Sequence, residues 1–507
     1  MNFLSLIWFI FAPVIMAMII LLPMFPEHQI VVRRISKWFA SFHFIFALLF
    51  LVFFDSSLFG MSYEKELLFF GSSWLKTLGI SAKFGVDGIS LLLIILTTFI
   101  VLVALFISKI HIRFKHKLYY SLVFLFESAI LGTFCAKDMF MFFVFWELTL
   151  IPLYFLVSQW GKDGVRSIAM KFTLTSFVAN MFMLFGMLLL YYYNFAISNV
   201  LTANIESLSM DSKLYPVWFQ IMVFVNFVIA FLLRVPFAFF HSWYVAVQGK
   251  AASPVNILIS GLLLNSGVYG LIRFNMQVFP DIFKLFAPLL LVWGVITIVY
   301  SAALSIVQKD IKRMCAYANI SVMGFVMLGL ASLNSTGFNG AIFCAIAASI
   351  LFSSLYVVIS CVEFRTKNTN IIALGGLGQV MPKCMYFALI ICFAALGIPF
   401  LIMFAPKLMI LSGVMLSNLE QQLLVKIAAL IGLGAIIVST GYILYFFYKV
   451  FCSVLLEQWK NIKDLRPQET AVLSALCLVM FYLGVYPMSL VSVYQSVSSI
   501  ILDIIRV

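Results

Sequence analysis

The sequence predicts an all-α polytopic membrane protein with about 14 transmembrane helices, arranged as two inverted repeats. Three observations point there. The 507 residues are 64% hydrophobic and only 10% charged, whereas a soluble domain carries roughly 25% charged residues. Apolar runs recur at the length of about 20 residues that a hydrocarbon core of about 30 Å requires. Two of these runs are too long for one straight crossing and carry proline near the middle, at corresponding places in the two halves.

Taken in order, the predicted spans are 3–22, 37–54, 87–108, 118–136, 139–158, 168–192, 216–248, 252–274, 283–306, 311–331, 338–361, 382–418, 423–452 and 470–492. The first has no basic leader and no small-residue cleavage site before Pro23, so it reads as a retained helix. Span seven is interrupted at Arg234-Val235-Pro236, and span twelve at Pro399 and Pro406-Lys407. Proline removes an amide donor and clashes with the preceding turn, so each should break. Paired broken helices are the mark of a repeated transporter fold with ion sites near the midplane. The organisation is one membrane domain over 1–507. It comprises N-terminal helices one to three (1–117), a first repeat of spans four to eight (118–275), a second of spans nine to thirteen (281–452), and a C-terminal helix and tail (453–507).

The net charge of +13 does not mark a nucleic-acid binder. Distributing Lys and Arg over alternating loops puts 21 on one side and 9 on the other, with Arg234 and Lys407 inside the membrane. By the positive-inside rule both termini face outward. The longest polar intervals, 55–86 and 194–215, fall on that outer side. Eight cysteines are scattered through apolar helices without a Cys-x-x-Cys pair and read as packing residues. His28, His43, His111 and His116 fall near helix ends or in the basic loop, and no Gly-rich nucleotide loop occurs. The chain is expected to hold no redox centre, no metal and no cofactor.

Glu147 is the most informative residue. Apolar sequence flanks it for about ten residues on either side, and an ionised carboxylate at the centre of a spanning helix costs roughly 2.5–3.5 kcal/mol. Glu127 lies about as far before the Lys137-Asp138 turn as Glu147 lies after it, so both fall roughly 15 Å deep. Two such carboxylates cannot both ionise cheaply without a cation. Arg234 is the expected partner of Glu147, because its fork of donors holds a carboxylate without releasing a proton. Lys407 is the expected proton-releasing group of the second half, with snorkelling or a structural role as the alternative. Glu127 reads as a functional acid or a neutral hydrogen-bonded carboxyl. His241 reads as a relay near neutral pH or a packing residue. Asp310, Lys312 and Arg313 read as an anchor on the positive side.

These residues, with several longer stretches, resemble a known family over nearly the whole chain. The stretches are Gly85-Val86-Asp87-Gly88-Ile89-Ser90, Phe145-Trp146-Glu147-Leu148, Ile151-Pro152-Leu153-Tyr154-Phe155-Leu156-Val157, Pro236-Phe237 with His241-Ser242-Trp243, Tyr269-Gly270-Leu271-Ile272-Arg273 and Asp310-Ile311-Lys312-Arg313-Met314-Cys315-Ala316-Tyr317. The family is the antiporter-like subunits, chain M (mitochondrial chain 4) of proton-translocating NADH–quinone oxidoreductase, respiratory complex I. The resemblance implies a membrane-arm subunit that couples electron transfer in partner subunits to proton translocation. Flavin, iron–sulfur clusters and quinone reduction would belong to those partners. It also implies a bacterial inner membrane as location, with the other membrane-arm subunits and the lipid bilayer as partners.

The family's polar axis implies Glu147 opposite a lysine in span seven, a lysine in span eight, histidines in spans ten and eleven, and an acid in span twelve. This chain departs from that axis repeatedly. Those positions hold Arg234, Asn265, Val322, Ala348 and Lys407, and Val247-Gln248 replaces the Ala-His expected after Trp243. Proton conduction between the half-sites is therefore expected to be weakened or rerouted. The alternatives are a subunit of a multisubunit cation/proton antiporter and a non-conducting structural paralogue.

Overall fold

The computed structural model describes residues 3–23, 29–52, 65–66, 78–417, 419 and 421–506. His28, Lys76 and most of the predicted outer interval 55–86 lie outside the described residues. The described residues are predominantly helical, and among them thirteen helices are long and apolar enough to cross a membrane. Twelve of these correspond to predicted spans. Phe3–Leu21 supplies the first span, and the pair Pro382–Leu396 and Phe404–Met415 supplies the twelfth.

The thirteenth long helix was not expected. Met488–Arg506 was read as a tail, and span fourteen ends at Val485, not 492. Leu490, Tyr494, Val497, Ile501 and Ile505 are buried while Gln495, Ser499 and Asp503 are exposed. That three-to-four spacing makes one apolar face, which a search for continuous apolar runs misses. The face lies against the start of span three, and Tyr494 OH donates to the carbonyl of Asn339 at 2.8 Å. Span two also begins earlier than expected, at Gln29 rather than 37, so Arg33 and Arg34 belong to its first turns and not to a loop. A short antiparallel pair, Lys65–Glu66 with Lys83–Phe84, is the only strand pair among the described residues.

Both long spans break, as the prolines require. Span seven ends at Arg234 and resumes at Ser242; span twelve ends at Leu396 and resumes at Phe404. Each gap contains a phenylalanine in the left-handed region, Phe239 at φ 74° and Phe400 at φ 70°. A non-glycine residue held there costs roughly 1–3 kcal/mol. Pro406 does not break anything. It lies in the first turn of the second half-helix, where an amide donor would be unpaired anyway, so Gly397–Met403 around Pro399 is the whole interruption.

The halves carry matching loop joints. Met139 N donates to Ala203 O and Ile205 N to Lys137 O, flanking an Asp138–Asn204 bridge. Ile311 N donates to Thr369 O and Ile371 N to Lys309 O, flanking an Asp310–Asn370 bridge. Spans five to nine, five crossings, separate Asp138 from Asp310, so the two joints lie on opposite faces. That is an inverted repeat written in backbone hydrogen bonds.

Candidate functional site

Glu147 sits in the last turn of the first segment of span five, beside Asn180 of span six. Asn180 Nδ2 donates to Glu147 Oε2, and Asn180 Oδ1 accepts from Trp146 Nε1 at 2.7 Å. Arg234 is the last residue of the first half of span seven, where a helix C-terminus favours a cation. Its guanidinium is 1% exposed, lies 4.6 Å from the Trp146 ring, and donates through Nη2 to Thr149 Oγ1. The direct Glu147–Arg234 contact expected from sequence is not formed: no ion pair within 4.0 Å joins them. Asn180 instead hydrogen-bonds both the carboxylate and the Trp146 indole, whose ring faces the guanidinium. Helical geometry explains this: Trp146 and Thr149, three residues apart, share the face that meets Arg234, whereas Glu147 is turned about 100° from Trp146. The guanidinium Nε and Nη1 have no hydrogen-bond partner among the described residues, so the cation rests chiefly on the indole face.

Glu127 does not join Glu147. Its Oε1 lies 2.8 Å from His43 Nδ1, and His43 Nε2 lies 3.1 Å from Phe9 O. His43 is therefore neither loop nor helix end but the middle of span two, stacked on Phe9 with centroids 4.2 Å apart. The two acids turn away from each other, Glu127 towards spans one and two, Glu147 towards span six.

In the second half, Lys407 is 5% exposed and its Nζ donates to Ala395 O at 2.9 Å. It thereby satisfies a carbonyl freed at the C-terminus of the first half-helix, as Trp243 Nε1 does for Leu233 O at 3.0 Å in span seven. Lys407 also lines a cavity of about 20 Å³ with Ser321, Val322, Ser439 and Tyr442. About 10–15 Å³ suffices for one water.

Asn265 Nδ2 donates to Ser349 Oγ at 2.9 Å while its Oδ1 has no partner. Ala348, beside Ser349, is fully buried. His241 precedes the second half of span seven without a side-chain capping bond, packs between Tyr300 and Tyr317 at 5.3 and 5.6 Å, and leaves Nδ1 without a partner among the described residues. Nine residues beyond Asp310, where Glu147 stands beyond Asp138, the second repeat has Asn319, donating to Tyr244 OH at 2.8 Å.

Two buried ion clusters were missed. Lys312, expected as a surface anchor, is 1% exposed; its Nζ lies 2.7 Å from Glu363 Oε2, and Lys162 Nζ lies 2.9 Å from Glu363 Oε1. Ser253 Oγ donates to the same carboxylate at 2.8 Å. Arg273, expected in an outer loop, is buried against Asp87, which also faces Lys137 at 3.4 Å. The signal for Glu363 was present: it interrupts the apolar run Ser360-Cys361-Val362 much as Glu147 interrupts its own. No group of three or more His, Cys, Asp or Glu arranged to hold a metal occurs among the described residues.

Residues 136–432 match the family described as NADH:quinone oxidoreductase/Mrp antiporter, transmembrane. NAD(P)H-quinone oxidoreductase chain 4 of Prochlorococcus marinus is 31% identical over 435 residues, covering 85% of this chain and 78% of the relative. The Acaryochloris marina protein of that name is 31% identical over 437 residues, covering 85% and 80%. Among solved structures, respiratory complex I from Thermus thermophilus matches with a TM-score of 0.87 at 24% identity, covering 99% of each chain. The Mrp complex from Dietzia sp. matches at 0.85 and 17% identity, covering 98% of this chain and 97% of that one. Both the stretch matched and the identity to chain 4 relatives establish that this chain belongs to the NADH:quinone oxidoreductase/Mrp antiporter transmembrane family.

Proposed function

We propose that this chain is the chain 4 membrane-arm subunit of a NAD(P)H–quinone oxidoreductase, assembled with the other membrane-arm subunits and serving its proton translocation. The identity to chain 4 proteins supports the oxidoreductase over a stand-alone antiporter; the Mrp likeness is one of fold. The flavin and iron–sulfur clusters of such an enzyme belong to other subunits. The family resemblance supports a bacterial inner membrane as location, and the 21-to-9 charge bias supports both termini outward, with Met488–Arg506 packed across the ends of spans three and eleven and not crossing. The repeats divide at 118–275 and 281–452, the joints around Asp138 and Asp310 marking equivalent positions.

Glu147, Asn180, Trp146 and Arg234 form the coupling unit of the first repeat. A proton arriving at Glu147 removes its negative charge, and the amide and indole carry that change to Arg234 as a rearrangement of hydrogen bonds. Lys407 is the corresponding proton-holding group of the second repeat. Between the two, Asn265, Val322 and Ala348 supply no exchangeable proton site, so transfer through the middle is weakened. One observation carries this reading: the cavity at Lys407 has room for about one water, and Val322 forms its wall. Protons translocated per NADH oxidised by the reconstituted complex test it. An undiminished ratio, abolished by Glu147→Gln, would show that conduction is not impaired.

A further inference from the structure

We propose that the recess between spans two, three and fourteen binds the phosphate headgroup of an anionic phospholipid, whose acyl chain lies along span two. Arg33, Arg34, Lys37 and Lys109 converge there, with Ile30 and Gln468, around a cavity of about 360 Å³. None of the four cations has a carboxylate within 4.0 Å among the described residues. Two are held in place from within the protein: Arg33 Nε donates to Tyr120 OH at 3.3 Å, and Lys37 Nζ lies 4.6 Å from the Phe106 ring. Arg34 and Lys109 are exposed. Four like charges around one recess repel each other unless an anion neutralises them, and the electrostatic attraction of such a basic cluster for anionic lipid is about 1 kcal/mol per cation.

The apolar surface beneath distinguishes a lipid from a free phosphate. Arg34, Trp38, Phe42, Ile45 and Leu49 follow at three or four residues, which places them on one helix face. Trp38 is 72% exposed, Phe42 67%, Ile45 56% and Leu49 41%. A guanidinium thus tops a continuous exposed apolar stripe, and only 22% of the most apolar stretch of span two is buried within the chain. A soluble anion has no use for the stripe. A neighbouring protein helix covers the stripe but leaves the four cations without counter-charge unless it brings acids.

The test uses the intact assembly, purified with and without Arg34→Gln/Lys109→Gln, incubated with vesicles of equal parts phosphatidylcholine and phosphatidylglycerol, then washed in detergent. Phospholipid retained per complex is counted by mass spectrometry. The proposal expects phosphatidylglycerol retention to fall roughly thirtyfold in the double variant, with phosphatidylcholine unchanged and Lys115→Gln on the same face without effect. Arg34→Lys should keep the lipid, and Trp38→Ala, with all charges intact, should lower its retention. Equal retention in the double variant overturns the proposal. So does displacement of the lipid by inorganic phosphate alone, which marks a free-anion site. Loss of a neighbouring subunit in place of lipid overturns it as well and assigns the face to protein.

Discussion

Asp138 and Asp310 are counterparts on opposite faces of the protein, each capping the helix it precedes and each bridged to an asparagine in a later loop. Asp138 Oδ1 accepts from Phe140 N and Met141 N, and Asp310 Oδ1 from Lys312 N and Arg313 N. Their second oxygens differ. Asp310 Oδ2 accepts from Thr369 Oγ1 at 2.5 Å, and Asp138 Oδ2 from the Ser81 amide at 3.0 Å. Burial pushes the Asp138 carboxyl up to about 6, against the opposing pull of its hydrogen bonds from Ser81, Met141 and Phe140.

A pH dependence follows, with its sign set by that shift. The unfolded aspartate titrates near 3.9, so between about pH 4 and pH 6 the folded protein binds the extra proton. The stabilisation is fully present below the unfolded value and is lost as pH rises through about 6. Asp138→Asn keeps the cap but has no proton to lose. Its thermal midpoint should lack the decline that the parent shows across that window, measured on the assembly from about pH 4 to pH 7.

Glu147→Gln should lower the proton translocation assigned to this subunit roughly a hundredfold or more, since a positioned proton-transfer group contributes about 10²–10⁴-fold. Asn180→Leu should give a milder loss, because it removes the hydrogen bond to the carboxylate and frees Trp146 Nε1. Proton uptake by dye quenching in proteoliposomes measures both. Normal translocation in Asn180→Leu would separate the amide from the coupling unit.

The His43–Glu127 pair is expected to be structural. His43→Leu leaves Glu127 with neither oxygen partnered, since Oε2 already has no partner, and should cost roughly 1–3 kcal/mol. The double variant His43→Leu/Glu127→Leu should recover most of that loss. Denaturation of the single and double variants, with translocation measured alongside, reads this out. A translocation defect in the stable double variant would instead place Glu127 on the proton path.

Glu363 holds Lys312 and Lys162 together across the two repeats. Glu363→Ala leaves Lys312 buried without its counter-charge and should cost roughly 3–5 kcal/mol. Lys162 contributes little to that cost, because its side chain is 44% exposed and solvent screens it. Thermal denaturation of the assembly checks the prediction.

Val322→His should return a titratable ring to the wall of the Lys407 cavity and raise protons translocated per NADH. The space available is about 20 Å³, so overpacking should destabilise the variant by roughly 1–3 kcal/mol. Unchanged stoichiometry in a folded variant would show that Val322 is not the obstruction.

Hydropathy and proline positions were enough to read the fourteen apolar spans and the two broken ones, and the family resemblance marked the departures at Asn265, Val322, Ala348 and Lys407. These are local properties: the free energy of putting a segment into hydrocarbon depends on that segment's own residues, and a proline interrupts its own helix. What depends on rotation about the helix axis was not legible. A difference of about 100° per residue decides whether Glu127 faces Glu147 or His43, and Trp146 rather than Glu147 meets Arg234 for the same reason. The ion clusters of Glu363 and Asp87 join residues from distant spans, so only packing brought them together. The terminal helix Met488–Arg506 stayed hidden because its apolar character is spread over one face and not along a run. The expectation of sidedness came from counting charges; partnership came from geometry, because a buried charge takes whichever polar group the folded neighbours place within reach.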